Sequence, residues 1–272
     1  MSGMSWIAGI SLLMPAWCVA LAETPMAVCP INQESLAQMQ KRHPLGSVEV
    51  DDPVYKRKQR YEGFWLRDLL KDLSHAGHPE SEVYVRFRCK DGHAPIMPLS
   101  RTLKGDGLVA VRDLGATTGK NWEPFSANGQ TSTPAPSYLV WVSPPGDIEE
   151  YPWPYQIVAI ELASSADVLG AAVADDSRKA GFDLFVKHCL KCHTINGVGG
   201  TFGPELNSPC SVTQYWNPGF LGRFIASAGS IRAGTKMPDF QTLPAKDIQA
   251  IIEYLQYMGS HKNSGATCPS ER

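Results

Sequence analysis

The strongest constraint in this sequence is the segment Cys189–His193, which consists of Cys-Leu-Lys-Cys-His. Two thiols separated by two residues can add to both vinyl groups of one haem, and the adjacent histidine can then ligate the iron. Seven cysteines and seven histidines in 272 residues give a chance expectation of roughly 0.005 such pentapeptides. A zinc site would need a second ligand pair at short spacing, which the sequence lacks, and a redox dithiol does not need the histidine. The segment therefore predicts one covalent haem c, attached at Cys189 and Cys192 and ligated by His193.

The sequence around this segment predicts three helices. The first spans Asp176–Cys189, the second runs from Asn217 to Gly229, and the third covers Leu243–Met258, where apolar residues repeat at helical spacing. Gly181 lies inside the first helix, where a glycine costs about 1 kcal/mol relative to alanine. A glycine at this place predicts close contact with another helix.

Residues 176–272 resemble a class I c-type cytochrome domain. Besides the haem segment, the resemblance rests on three motifs: Gly181-x-x-Leu184-Phe185, Gly203-Pro204-x-Leu206 and Met237-Pro238-x-Phe240. In that family the first and last helices cross, and an aromatic side chain of the last helix, here Tyr254, meets the glycine of the first. The resemblance implies an all-α domain with haem in a cleft.

The resemblance also implies the remaining contacts to the haem. The carbonyl of Pro204 would accept the proton on Nδ1 of His193, which fixes the tautomer and the ring plane. Met237, 44 residues after His193 and just before the last helix, would be the sixth iron ligand. Met258 is another candidate, but its position on the packed face of a helix would occupy its sulfur. Two protein ligands leave no open position for a substrate, so the expected role is electron transfer, with no catalytic residues.

Residues 23–162 predict a mainly β domain. Val83, Val85 and Phe87 alternate with more polar residues, which is typical of a strand with two different faces. The other predicted elements are a short helix and three strands, at Trp65–Leu73, Leu108–Val111, Tyr138–Val142 and Gln156–Leu162. Together with residues 176–272, these elements give an α+β fold class in two domains.

This first domain resembles the sulfite-oxidase-type molybdopterin-binding domain. The matching segments are Tyr61-x-Gly63-x-x-Leu66-x-x-Leu69-Leu70, Val85-x-Phe87-x-Cys89-x-Asp91-Gly92, Pro98-Leu99, and Trp153 with Ile157–Leu162. In that family a cysteine upstream of the first segment ligates molybdenum. Ser47–Arg60 contains no cysteine, which argues against molybdopterin and favours a cofactor-free relative that serves as a docking or support surface. A retained metal site would instead make the chain a molybdopterin-dependent oxidoreductase, similar to a sulfite dehydrogenase, with a built-in cytochrome domain.

Copper is a third alternative for the first domain. Cys89, His93 and Met97 resemble the cysteine, histidine and methionine ligand run of blue-copper domains, and this ligand set suits copper. A second histidine would be needed, from His43, His75 or His78. The flanking strands do not clearly follow the pattern of such a domain, so copper is not expected.

The first 22 residues predict a signal peptide. Trp6–Ala22 is apolar and uncharged, and it ends in Ala20-Leu21-Ala22, a cleavage pattern of small residues. Pro15 and the short length argue against a membrane-spanning helix, although an uncleaved anchor is an alternative. The sequence therefore predicts export to a bacterial periplasm, with no membrane span after cleavage.

Export would place the thiols where they can oxidise. Cys210 and Cys268 both belong to the haem domain, so a bridge between them is the simplest expectation. A bridge between Cys29 and Cys89 is a second hypothesis. The sequence leaves the connectivity of these four cysteines open.

The charge distribution bears on partners. The formal net charge of −2 argues against a general nucleic-acid binder. Residues 23–175 carry −5 and residues 176–272 carry +3, with residues 163–175 as the predicted linker. Four cations flank the haem-binding segments and are either a basic rim or ordinary solvated side chains: Lys187, Lys191, Arg232 and Lys236.

The sequence predicts an electron carrier rather than an enzyme, passing single electrons between a dehydrogenase and a cytochrome or an oxidase.

Overall fold

The computed structural model describes residues 18–20, 27–73, 78–117, 119–127, 130–164, 176–262 and 268. Within these ranges a β-rich N-terminal domain precedes a helical C-terminal domain, so the predicted α+β class is confirmed. Apart from Cys18–Ala20, the predicted signal peptide lies outside the described residues.

The strands of the N-terminal domain form two antiparallel sheets and a small ribbon. Their bounds are β1 (Val19–Ala20), β2 (Ala27–Pro30), β3 (Gly46–Asp52), β4 (Arg57–Trp65), β5 (Val83–Cys89), β6 (Ile96–Pro98), β7 (Asp106–Asp113), β8 (Phe125–Ala127), β9 (Gln130–Ser132), β10 (Tyr138–Val142) and β11 (Ile157–Ser164). The first sheet has the order β1-β2-β11-β5-β6 and the second has the order β10-β7-β4-β3, while β8 pairs with β9. The strands predicted at Leu108–Val111, Tyr138–Val142 and Gln156–Leu162 correspond to β7, β10 and β11.

The helices of the chain divide between the two domains. Their bounds are α1 (Gln33–Arg42), α2 (Leu66–Lys71), α3 (Leu99–Thr102), α4 (Asp176–His188), α5 (Val212–Tyr215), α6 (Pro218–Ala226), α7 (Ala228–Ile231) and α8 (Ala245–Gly259), with a 3-10 turn at Glu80–Glu82. Two short strands, β12 (Thr194–Ile195) and β13 (Val198–Gly199), form a hairpin just after the haem segment.

The alternating pattern of β5 explains how the first sheet is packed. Val83, Val85 and Phe87 are fully buried, and they meet Val109 and Trp141 of the second sheet in one hydrophobic core. The opposite face of the same sheet contacts the C-terminal domain, where Tyr84, Ile96 and Ala163 join the hydrophobic cluster of the helices. Both faces of the sheet are therefore covered.

An ion pair lies on this second face of the sheet. Arg86 of β5 and Glu161 of β11 are directly opposite each other and 2.6 Å apart, and the Glu161 side chain is only 3% exposed. A further pair crosses between the domains, where Lys187 lies 3.3 Å from Glu149. The second pair joins α4 to the N-terminal domain, whereas the first lies within the sheet.

Helices α4 and α8 cross where the glycine pattern predicts. A Cβ on Gly181 would overlap the carbonyl oxygen of Ala250 and lie 3.1 Å from Cβ of Tyr254. The ring of Tyr254 packs against Phe182 and Phe185 at centroid distances of 5.7 and 5.2 Å. The predicted close helix contact at Gly181, with Tyr254 as its aromatic partner, is confirmed.

Two predicted boundaries are corrected. Helix α6 begins after the N-cap Asn217, as predicted, but ends at Ala226, because Ser227 leaves the helical conformation before the short helix α7. Gly229 therefore lies inside α7 and does not end the longer helix. Strand β11 continues to Ser164, two residues into the predicted linker, and residues 165–175 lie outside the described residues.

The disulfides agree with one of the two expectations. Cys210 is bonded to Cys268, as predicted. The proposed Cys29–Cys89 bridge is wrong, because β11 separates β2 from β5 in the sheet, and Cys29 is bonded to Cys18 instead. Cys89 is a buried free thiol whose Sγ lies 3.7 Å from the carbonyl oxygen of Phe87.

Candidate haem-binding site

The haem segment follows the last turn of α4. The carbonyl oxygen of Phe185 accepts bonds from the amides of Cys189 (2.8 Å) and Leu190 (2.9 Å), which ends the helix. The amides of Cys192 and His193 then bond to the carbonyl oxygen of Cys189 at 3.0 and 2.9 Å, so the chain turns tightly. This turn brings both thiols and the imidazole to the wall of one cavity.

His193 is held in one orientation by its neighbours. Its Nδ1 lies 2.9 Å from the carbonyl oxygen of Pro204, so a proton on Nδ1 is donated to that oxygen. Gly203 lies under the ring, where a Cβ would come within 2.5 Å of Cε1 and 2.7 Å of Nδ1. Burial lowers the pKa of His193, against the opposing effects of the Pro204 hydrogen bond and Glu205. A neutral imidazole with its second nitrogen available is the form that ligates a metal.

The cavity in front of these residues has a volume of about 350 Å³. Most of its wall is apolar, and these apolar residues come from three helices and the loop after the haem segment: Phe185, Leu206, Leu221, Phe224, Ile251 and Leu255. The wall also carries the thiols of Cys189 and Cys192, the imidazole of His193 and the thioether of Met237. An apolar slot with these donors fits the covalent attachment and axial ligation of a haem.

Met237 lies on the wall of the cavity, in the loop before α8. Its amide donates to Oγ1 of Thr235 at 3.2 Å, and the neighbouring Gly234 has a φ of 75°, a conformation that favours glycine. Met258, the other candidate ligand, is 3% exposed in the core and does not line the cavity. The structure thus brings Met237, and not Met258, together with His193.

Comparison with known proteins agrees with this geometry. Residues 176–255 match the family described as cytochrome c oxidase, cbb3-type, subunit III. Residues 176–255 form a cytochrome c domain. The match covers less than a third of the chain, and no curated protein matches the sequence. The cytochrome c domain implies a covalently bound haem c and a role in electron transfer with redox partners.

The N-terminal domain also contributes to the cavity of the cytochrome c domain, which sequence reasoning missed. His93, in the loop between β5 and β6, lines the cavity beside Cys192 and stacks on Phe202 at 4.1 Å. Burial lowers the pKa of His93, whereas the hydrogen bonds and the charge of Asp91 raise it. No sequence signal links residue 93 to a haem segment 100 residues later, because only the domain packing joins them.

The copper hypothesis for the N-terminal domain is wrong on geometry. Met97 is paired with Val85 across β5 and β6, four residues from Cys89, which corresponds to roughly 13 Å along the strand. His93 faces the cytochrome c domain. Cys89 and Met97 therefore cannot share one metal ion, and His43 bonds instead to Asp72 at 2.7 Å.

Three of the four cations that flank the haem-binding segments line the haem cavity. They are Lys191, Arg232 and Lys236, of which Arg232 and Lys236 are exposed. Lys187 is directed toward Glu149 and does not belong to the rim. His188 is 8% exposed, packs against Phe240 and lines the cavity. Burial lowers the pKa of His188.

No helix in the described part of the chain has both the length and the apolar character required to cross a bilayer.

Proposed function

We propose that the chain is a periplasmic electron carrier that passes single electrons between a dehydrogenase and a downstream acceptor. The observation that supports this most is the cavity that holds Cys189, Cys192, His193 and Met237 together. Donors for both faces of one iron leave no position for a substrate. Such a site suits electron exchange and does not suit oxygenase or peroxidase chemistry.

Each residue of the site has a separate task in this proposal. Cys189 and Cys192 would tether the porphyrin, and the carbonyl oxygen of Pro204 holds the proton on Nδ1 of His193, so that the other ring nitrogen would be available to the iron. Haem c supplies reversible one-electron exchange at its iron. The Met237 thioether favours the ferrous state and raises the reduction potential. The apolar wall excludes water.

The charge at the cavity mouth supports a particular kind of redox partner. Arg232 and Lys236 are exposed there, and Lys191 lies beside them. The nearby carboxylate of Asp239 accepts a hydrogen bond from the amide of Gly229 at 2.9 Å. A basic mouth favours a partner with an acidic docking surface, which would be steered toward the exposed haem edge at low ionic strength.

The N-terminal domain serves in this proposal as a cofactor-free support with a sulfite-oxidase-like fold. The free cysteine described in this domain does not favour a molybdenum site, because Cys89 is 5% exposed and packs inside the hydrophobic core. Its contacts to α4 and to the haem segment support a structural role.

Metal and pigment analysis of the exported protein tests the proposed function. We expect one iron per chain, no molybdenum or copper, and a haem that stays with the polypeptide in acid-acetone because two thioethers hold it. The Cys189→Ala/Cys192→Ala double variant should release any haem it binds. Stoichiometric molybdenum, or a wild-type pigment that is extracted by acid-acetone, would contradict the proposal.

Counting thiols tests the proposed signal peptide. Cleavage after Ala22 removes Cys18, the disulfide partner of Cys29, while both haem cysteines become thioethers. We therefore expect the denatured exported protein to begin at Glu23 and to show two reactive thiols, those of Cys29 and Cys89. An intact N-terminus with a single thiol, that of Cys89, would show an uncleaved leader. Intact-protein mass spectrometry before and after thiol alkylation distinguishes the two.

A further inference from the structure

The loop between β5 and β6 is bound to the haem segment through its backbone. The amide of Ala94 donates to the carbonyl oxygen of Lys191 at 2.8 Å, and the amide of Thr201 donates to the carbonyl oxygen of Gly92 at 2.8 Å. Gly92 has a φ of 93°, and a Cβ there would lie 2.9 Å from Oγ1 of Thr201. Two hydrogen bonds and a close approach that requires glycine fix this loop on the cytochrome c domain.

The loop carries one side chain to the edge of the haem cavity. The ring of His93 stacks on Phe202 with its centroid 4.1 Å away and an interplanar angle of 29°. Its Nδ1 lies 2.9 Å from Oδ2 of Asp91, whose other oxygen accepts the His93 amide at 3.0 Å. The ring is thereby held beside Cys192, one of the two predicted attachment points of the haem.

We propose that the ring of His93, which the N-terminal domain supplies, covers the Cys192 edge of the haem and so raises the reduction potential of the haem. This inference rests on the proposed function, since it requires a haem at Cys192. Water at a haem edge stabilises the more highly charged ferric state. Covering that edge therefore destabilises the ferric state relative to the ferrous state and raises the reduction potential. Oδ2 of Asp91 lies 2.9 Å from Nδ1 of His93 and offsets any positive charge on the ring, so covering the edge, rather than adding charge, is the main effect of the ring.

Three variants of the full-length holoprotein test the inference in redox titrations followed by haem absorbance. His93→Ala opens the edge, and we expect the ratio of ferrous to ferric haem at a fixed applied potential to fall roughly five-fold, which corresponds to about 1 kcal/mol. His93→Phe keeps a ring on Phe202 and should retain the wild-type potential. His261→Ala is the matched control, because His261 also stacks on an aromatic ring, Tyr257 at 4.0 Å, but does not line the cavity.

The outcomes separate this inference from the proposed function. An unchanged reduction potential in His93→Ala overturns the inference. A reduction potential in His93→Phe as low as that in His93→Ala also overturns it, because the charge or the hydrogen bond of the imidazole would then be the cause. An equal shift in His261→Ala also overturns it. Hydrogen exchange at the Thr201 amide should stay slow in every variant, since its partner is the Gly92 backbone. A wild-type chain without covalent haem would refute the proposed function instead.

Discussion

Replacing Met237 with alanine is expected to remove the sixth ligand of the haem iron and to change its spectrum from low spin to high spin. The substitution deletes the thioether on the cavity wall and leaves the His193 side of the site untouched. The iron would then bind carbon monoxide, and its reduction potential would fall by on the order of 0.1 V, a fraction of the ~0.8 V that axial ligands span. Absorption spectra with and without carbon monoxide, together with a redox titration, measure both effects.

Met258→Leu is the matched control for this prediction. Met258 is buried in the core outside the cavity, and leucine replaces it with little change of volume, at a cost below about 1.5 kcal/mol. The control should keep the low-spin spectrum, the potential and the insensitivity to carbon monoxide. If Met237→Ala retained an unchanged low-spin spectrum at an unchanged potential, Met237 could not be the ligand. A change in Met258→Leu alone would assign the ligand to α8.

The features that could be predicted from sequence are those whose causes are local. The spacing of Cys189–His193 follows from the porphyrin, and Gly181 indicates a helix contact because only a hydrogen fits beside Ala250. The alternation of apolar and more polar residues in Val83–Cys89 predicts a strand, because one face of its sheet lies in the core of the N-terminal domain and the other faces the C-terminal domain. The placement of Met237 and Pro204 required the family resemblance, since a single methionine or proline carries no signal of its own.

The features that could not be predicted depend on packing between distant parts of the chain. His93 reaches the haem cavity only because the outer face of the first sheet lies against α4, and nothing in the composition of either segment indicates that contact. The pairing of Cys29 with Cys18 depends on the order of strands, which places β11 between β2 and β5. The copper hypothesis failed for the same reason, because sequence spacing does not give strand register.

Gly181→Ala is expected to weaken the crossing of α4 and α8, which both line the haem cavity. A methyl group at this position overlaps the carbonyl oxygen of Ala250, and a backbone atom cannot move aside as a flexible side chain can. The helices must separate, which we expect to cost about 2–3 kcal/mol of folding free energy, more than the ~1 kcal/mol that alanine gains in helix propensity. Urea unfolding followed by haem absorbance and by circular dichroism measures the loss.

Gly222→Ala provides the comparison that separates crowding from the loss of a glycine as such. Gly222 lies in α6, where a Cβ would make ordinary contacts of 3.4 Å with Cδ1 of Ile252 and 3.9 Å with Cγ2 of Ile248. Alanine should therefore be neutral or slightly stabilising there, because it adds helix propensity without a clash. If both alanine variants unfolded at the wild-type urea concentration, the close approach at Gly181 would not contribute to stability. If only Gly181→Ala were destabilised and its haem lost low-spin character before the β domain unfolded, the helix crossing would be the element that keeps His193 and Met237 together at the cavity where they would ligate the iron.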